Sequence, residues 1–258
     1  KLVVQSFQDM KRQKLRCMLT MSGIVWGTMS VILLLSFGES FKLAAMKNMS
    51  GMGSNILILR GNMTTMPYNG MPSGRWIKFR PELASLLENS IAEIDRISPE
   101  SSRHVTFNIA AERQNFNCVG VNADYGVLRN LVARKGGRFI NPRDMEEKRR
   151  VVFLGSEISA RFFGKDTDSV GKTLNIKGIP FIIIGVMEDK IQNSSYMSPD
   201  SRIAFIPFST CREMFGFTHI DRIIYRARTA IETPAAKDKT YTVLSQKLGF
   251  DPKDRDAL

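Results

Sequence analysis

The segment Asp166-Thr-Asp-Ser-Val-Gly171-Lys172-Thr173 carries the Gly-Lys-Thr ending of a phosphate-binding loop. Such a loop leads from a strand into a helix, so that backbone N–H groups and the helix N-terminus meet the phosphates. Two features argue against that chemistry. Asp166 stands where the first glycine belongs, and Gly164 lies too far upstream. Gly171-Lys172-Thr173 also opens onto Thr-Leu-Asn-Ile, a strand-like run, so nucleotide binding is not expected here.

Other reactive residues are sparse. Two histidines, His104 and His219, and three cysteines, Cys17, Cys118 and Cys211, with no CxxC spacing, leave too few ligands for a zinc site. Cys118 and Cys211 stay open to two readings, a disulfide in an oxidising compartment or two buried thiols. Met46, Met49, Met52, Met63, Met66 and Met71 cluster at a spacing that thioether ligation of Cu(I) could use. With no His or Cys beside them, adaptable apolar filling is the expected role. No nucleophile–base pattern appears, and Glu146-Glu147 are adjacent and point apart. No catalytic, cofactor-binding or metal-binding residue is expected, and the chain does not read as an enzyme.

Residues 129 to 150 hold Arg129, Arg134, Lys135, Arg138, Arg143, Lys148, Arg149 and Arg150 against Asp144, Glu146 and Glu147. A nucleic-acid surface would interleave such charge with aromatic platforms, and only Phe139 lies within it. A solvated face is expected, with contact to a partner or acidic lipid as the alternative.

The elements that carry these residues begin with an apolar run. No charged side chain occurs from Cys17 to Gly38, and Met18 to Phe37 is strongly apolar. As a helix this run is about 33 Å long, enough to cross a hydrocarbon core of about 30 Å. Lys11, Arg12, Lys14 and Arg16 precede it closely, whereas Glu39, Lys42 and Lys47 follow. The positive-inside rule then puts the N-terminus in the cytoplasm and residues beyond about 40 on the far side. A cleaved signal peptide would have a shorter apolar region and a better small-residue site than Ala44-Ala45. Residues 1–17 suit an amphipathic helix on the cytoplasmic face, or a solvated terminus. The net charge is +12 over 258 residues. The start at Lys1 and the single span lead us to expect a piece of a longer polypeptide.

Beyond the span, 39–50 continues as a helical stalk that Gly51, Gly53 and Asn55 end. Asn55–Arg60 reads as a buried strand and Gly61–Gly74 as a mobile loop. Pro81 opens a helix whose apolar stripe runs Leu83, Leu86, Leu87, Ile91, Ile94 and Ile97, stopped by Ser98-Pro99. Strands are expected at Val105–Ile109, Phe116–Val121, Val151–Leu154, Thr173–Lys177, Phe181–Val186, Arg202–Pro207 and Arg222–Ala227. Helices are expected at Asp124–Val132, at Glu157–Phe163 capped by Ser156, and at Pro234–Leu248. The fold class is α+β. A middle block, 113–199, reads as an insertion into an outer α/β unit made from 39–112 and 200–258.

The order of these features resembles an ABC-transporter permease of the MacB type. The resemblance rests on the basic head, LTMSGIVWGTMSVILLLSFGES, and Gly53-Ser54-Asn55-Ile56 opening a strand. It continues through Val151 to Asp189, with Gly155, Phe163-Gly164, Val170-Gly171-Lys172, Ile176, Gly178, Phe181 and Ile184-Gly185-Val186, and through Phe205-Ile206-Pro207-Phe208 and Met214-Phe215-Gly216.

The resemblance implies a cytoplasmic head (1–17), a transmembrane helix (18–38), and an extracytoplasmic domain on a bacterial inner membrane. That domain would be a porter-like unit (39–112 and 200–258) with an inserted sabre-like unit (113–199). It implies a dimeric permease, homo- or hetero-, with an ABC ATPase that binds ATP and Mg, and membrane lipid around the span. A periplasmic adaptor or outer-membrane channel is a further implied partner; nucleic acid is not. The implied function is mechanotransmission, in which cytoplasmic ATP hydrolysis moves the outer domain to export or extract a drug, peptide or lipoprotein. The alternative is a stand-alone membrane-anchored sensor or binding module; an anchored hydrolase is a third reading.

Overall fold

The computed structural model describes residues 14–50, 55–109, 112–165, 167–190 and 198–258, with backbone alone at 17, 43–50, 109 and 112. The expected head helix over 1–13 and the glycines at 51 and 53 lie outside the described residues. Two units are present, 1–48 and 49–258.

The first unit is dominated by helix α1 (Lys14–Ser50). Its Lys14–Lys42 stretch is long and apolar enough to cross a membrane. Three of its hydroxyls turn inward on their own helix. Thr20 donates to the Arg16 carbonyl at 3.0 Å, Ser22 to Leu19 at 2.9 Å, and Thr28 to Ile24 at 2.9 Å. Each of these three hydroxyls thus has an acceptor without water, as a lipid environment requires. The helix runs unbroken through Gly38 into the expected stalk.

Among the described residues the second unit has eight strands: β1 (Ile56–Leu59), β2 (Ile94–Ile109), β3 (Glu112–Val121), β4 (Val151–Leu154), β5 (Thr173–Ile176), β6 (Ile179–Val186), β7 (Ile203–Pro207) and β8 (Arg222–Ala227). Their order is β1-β8-β2-β3-β7-β4-β6-β5, with a further β2–β5 pairing. The pairs β3–β7 and β4–β6 are parallel and the others antiparallel. Around the strands lie α2 (Glu82–Ser90), α3 (Tyr125–Leu128), α4 (Pro142–Glu146), α5 (Ser156–Phe163), α6 (Phe208–Phe215) and α7 (Thr233–Leu248).

Strand β2 joins the two ends of this sheet. Ile94 to Glu100 pair with β8, and Ser101 to Ile109 pair with β3. Pro99, which has no N–H to give a ladder, lies one residue before the handover. The expected helix from Pro81 to Ile97 is therefore corrected: it ends at Ser90, and Ile94, Ile97 and Ser98-Pro99 belong to a strand. The helical spacing has a physical source. A register shift between Ile94 and Arg96 inserts an extra residue, so Ile94 and Ile97, three apart, are both buried.

Smaller corrections follow the same logic. The turn between β5 and β6 is Lys177-Gly178, at φ +53° and +81°, the positive angles of a two-residue hairpin turn; Ile179-Pro180 already belong to β6. Ser156 is the first residue of α5 rather than its cap. The cap position holds Gly155, where a Cβ would lie 2.3 Å from the Ser201 carbonyl oxygen. The Gly61–Gly74 loop is tied down. Thr64 N–H donates to Arg75 O at 2.9 Å, Gly74 N–H to Thr64 O at 2.7 Å, and Tyr68 and Met71 exchange bonds at 3.0 and 2.9 Å.

Three apolar clusters fill the unit. In the first, the fully buried members come from 59–97 and 208–257 alone, including Phe79, Leu87, Ile97, Tyr225, Leu244 and Phe250. The second and third centre on the middle block but also take Ala204 and Ile206, or Ile203 and Phe205, from β7. Cys118 and Cys211 are unpaired buried thiols in the second. Burial pushes the Cys211 thiol up to about 12 and raises Cys118 as well, so neither is reactive at neutral pH.

Candidate interaction surface

Buried ion pairs hold the sheet to its flanking loops. Arg129 donates to Asp200 at 2.8 Å, and Lys190 Nζ reaches the same carboxylate at 2.7 Å and the Arg129 carbonyl at 2.8 Å. Burial lowers the Lys190 pKa although Asp200 opposes the shift. Glu100, fully buried, accepts from Tyr125 Oη at 2.9 Å and from Arg222 at 2.8 Å. Asp144 sits in a capping box with Asn141 and accepts both Nη atoms of Arg138 at 2.6 and 3.0 Å. Burial would raise its pKa; Arg138 and the Asn141 N–H outweigh that and hold it low.

Most of the basic run from 129 to 150 is spent in this way. Arg134 pairs with Asp189, Arg143 with Glu147, Lys148 with Glu213, and Arg149 with Glu147. Among the described residues only Lys135 and Arg150 of the run lack an ion pair. The Gly-Lys-Thr segment is exposed, but its first two backbone N–H groups are already bonded within the fold. Gly171 N–H donates to Ile183 O at 2.8 Å, Lys172 N–H to Ser169 O at 3.2 Å, and Lys172 Nζ lies 5.0 Å from the Phe163 ring centre. Thr173 then opens β5, as the sequence leads one to expect; Asp166 lies outside the described residues.

A different segment presents unneutralised charge. From Trp76 to Arg80 side chains alternate: Trp76, Lys78 and Arg80 are exposed, while Ile77 and Phe79 are buried in the first cluster. Ile77 N–H donates to Asn62 O at 2.8 Å, and Ile220 N–H to Phe79 O at 2.9 Å, so the backbone is fixed on both sides. Beside it a cleft of 570 Å³ is lined by Arg60, Trp76, Lys78, Arg103, Phe217 and Arg222, with Asp221 as its one carboxylate. Arg103 reaches Asp221 at 3.3 Å and lies 5.1 Å from the Phe217 ring centre. A second cleft, 650 Å³, shares Lys78 and adds Arg80, Leu83, Lys247 and one carboxylate, Glu82, which reaches Arg212 at 3.8 Å.

No residue of 75–80 was singled out from the sequence. The signal was there, a period-two alternation of aromatic or basic with apolar residues, but it sits between a glycine- and proline-rich loop and Pro81. Met63 and Met66 of the methionine cluster are exposed beside it, and Met63 bridges Trp76. The side chains of Met46, Met49 and Met52 lie outside the described residues. Among those residues no group of His, Cys, Asp or Glu is placed to hold a metal ion.

Comparison with known proteins fixes the family. The MacB-like periplasmic core domain profile matches residues 17–241. The chain is 30% identical over 208 residues to the macrolide export ATP-binding/permease protein MacB of Wolinella succinogenes, covering 80% of this chain and 31% of that protein. It is 29% identical over 234 residues to the pyoverdine export ATP-binding/permease protein PvdT of Pseudomonas savastanoi pv. phaseolicola, covering 90% and 34%. The chain thus spans about a third of the length of these relatives. In fold it is similar to the periplasmic region of MacB from Actinobacillus actinomycetemcomitans, with a TM-score of 0.64 at 20% identity over 81% of this chain and 90% of that one. The extracellular domain of the transporter YknZ from Gram-positive bacteria gives 0.60 at 17% identity, over 77% and 97%. With a span-length helix followed by this mixed sheet, and a profile match over most of its length, the chain belongs to the MacB-like periplasmic core domain family.

Proposed function

We propose that this chain is the first span and extracytoplasmic domain of a permease in an ABC-type exporter, and that its role is mechanical. The N-terminus lies in the cytoplasm and residues 49–258 on the far side of a bacterial inner membrane. An ABC ATPase, on the same or a separate polypeptide, binds ATP and Mg and supplies the energy. The permease works as a dimer. The observation that carries this reading is one unbroken helix, Lys14–Ser50, leading into a family domain whose relatives are named ATP-binding/permease proteins.

The physics supports a transmitting part. A helix of 37 residues is about 55 Å long. The helix is unbroken over that length, and a continuous hydrogen-bonded helix carries displacement along its axis. The cargo, a drug, peptide or lipoprotein, then meets the outer unit, whose ion-paired sheet moves as a body.

Hydrogen exchange on the complex reconstituted with its ATPase tests this. Exchange in residues 49–258 changes between nucleotide-free and ATP-bound states if motion is transmitted. Unchanged exchange throughout that unit during steady ATP turnover contradicts it and favours an anchored sensor or binding module.

A further inference from the structure

We infer that the strip Trp76, Lys78 and Arg80 is a docking site for an extended, acidic polypeptide segment of a partner protein. The inference does not depend on the transport reading, since it follows from the surface alone.

Three observations carry it. Trp76 is 59% exposed, a large aromatic surface in a unit whose other aromatics are mostly buried. Arg60, Lys78 and Arg80 have no ion pair among the described residues, in contrast with the basic run at 129–150, which is largely neutralised. The strip is also rigid: Ile77 and Phe79 anchor it from beneath, and backbone bonds to Asn62 and Ile220 fix it at both sides. A preformed site loses little entropy on binding.

The spacing selects the ligand. In an extended chain, residues two apart lie about 6.7 Å from each other on one face. Lys78 and Arg80 therefore match carboxylates at i and i+2 of a second extended chain, and Trp76 takes an apolar side chain two positions further along. Because the strip's own backbone is partly bonded, recognition runs through side chains rather than by strand addition. A lipid surface offers single phosphates with no such repeat, which makes a peptide the better match. The neighbouring cleft adds Arg60, and its Arg103 is paired with Asp221, so Arg60 extends the positive field that attracts the segment.

The probe is a fluorescein-labelled peptide, Leu-Ser-Glu-Ser-Glu, compared with its isomer Leu-Ser-Ser-Glu-Glu by anisotropy on the full chain in detergent. The alternating peptide binds saturably and more tightly than the isomer, and binding weakens as salt rises. Lys78→Glu with Arg80→Glu lowers its affinity about tenfold or more, whereas Lys135→Glu with Arg150→Glu, an equal charge change at exposed positions, leaves it within about twofold. Trp76 becomes the sole tryptophan in Trp26→Phe, and its emission shifts on binding. The inference is overturned by a lack of saturable binding, by equal affinity for the two isomers, or by equal losses in the two double variants. Displacement of the peptide by phosphatidylglycerol vesicles, with a matching shift of Trp76 emission, also overturns it and assigns the strip to lipid.

Discussion

Arg129 and Asp200, 71 positions apart in the chain, meet at 2.8 Å with each side chain only 1% exposed. Arg129 follows α3 and Asp200 precedes β7, so the pair ties the loop after α3 to the start of β7. Removing Asp200 leaves the Arg129 charge buried without its carboxylate, whereas removing Arg129 leaves Asp200 still paired with Lys190 at 2.7 Å. Asp200→Ala should destabilise the protein by about 3–5 kcal/mol, and Arg129→Ala by less. Urea unfolding followed by circular dichroism checks this, and a cost near zero contradicts the pairing.

Asp254 predicts a pH dependence. It accepts Thr65 Oγ1 at 2.7 Å and the N–H groups of Thr65 and Met66 at 2.7 and 3.0 Å. Burial would raise its pKa, but these bonds outweigh burial and hold it below the ordinary value of 3.8. A carboxyl with a depressed folded-state pKa stabilises the fold fully above its unfolded value, and that stabilisation is lost as pH falls through the folded one. At neutral pH Asp254→Asn should lose about 1–3 kcal/mol, and the gap to the parent should close below about pH 4. Melting temperatures at neutral and acidic pH decide it; a gap that widens in acid refutes the assignment.

Gly61 sets the position of the exposed strip. A Cβ there would lie 1.9 Å from the Ile77 carbonyl oxygen, which is backbone and cannot swing aside. Gly61→Ala should destabilise by about 1–3 kcal/mol and move the Trp76 side chain. A shift in Trp76 emission in a Trp26→Phe background reports it, and an unchanged spectrum with unchanged stability contradicts the packing.

Much of the fold was legible in the sequence, for reasons visible in particular elements. β4 and β7 are buried at every residue, so they read as short unbroken apolar runs. α6 ends at Gly216, with φ +63°, as a glycine stop should. The Ile94–Ile97 segment misled because a bulge reproduces the helical spacing of three within a strand. The Arg129–Asp200 and Glu100–Arg222 pairs were invisible because charges that meet across 71 or 122 positions leave no local pattern. The loop from Gly61 to Gly74 read as mobile because glycine and proline mark turns, whereas its order comes from Asp254, far along the chain.

The account stands on the folded unit lying across the membrane from the ATPase. Ile231 is 90% exposed, so Ile231→Cys offers a reporter on that unit, and Cys118 and Cys211 are buried and inert. With Cys17→Ser to remove the remaining thiol, intact cells with a permeable outer layer are treated with a membrane-impermeant maleimide. Labelling of residue 231 before the inner membrane is broken is the predicted result. Labelling only after that membrane is broken would put the unit in the cytoplasm and contradict the account.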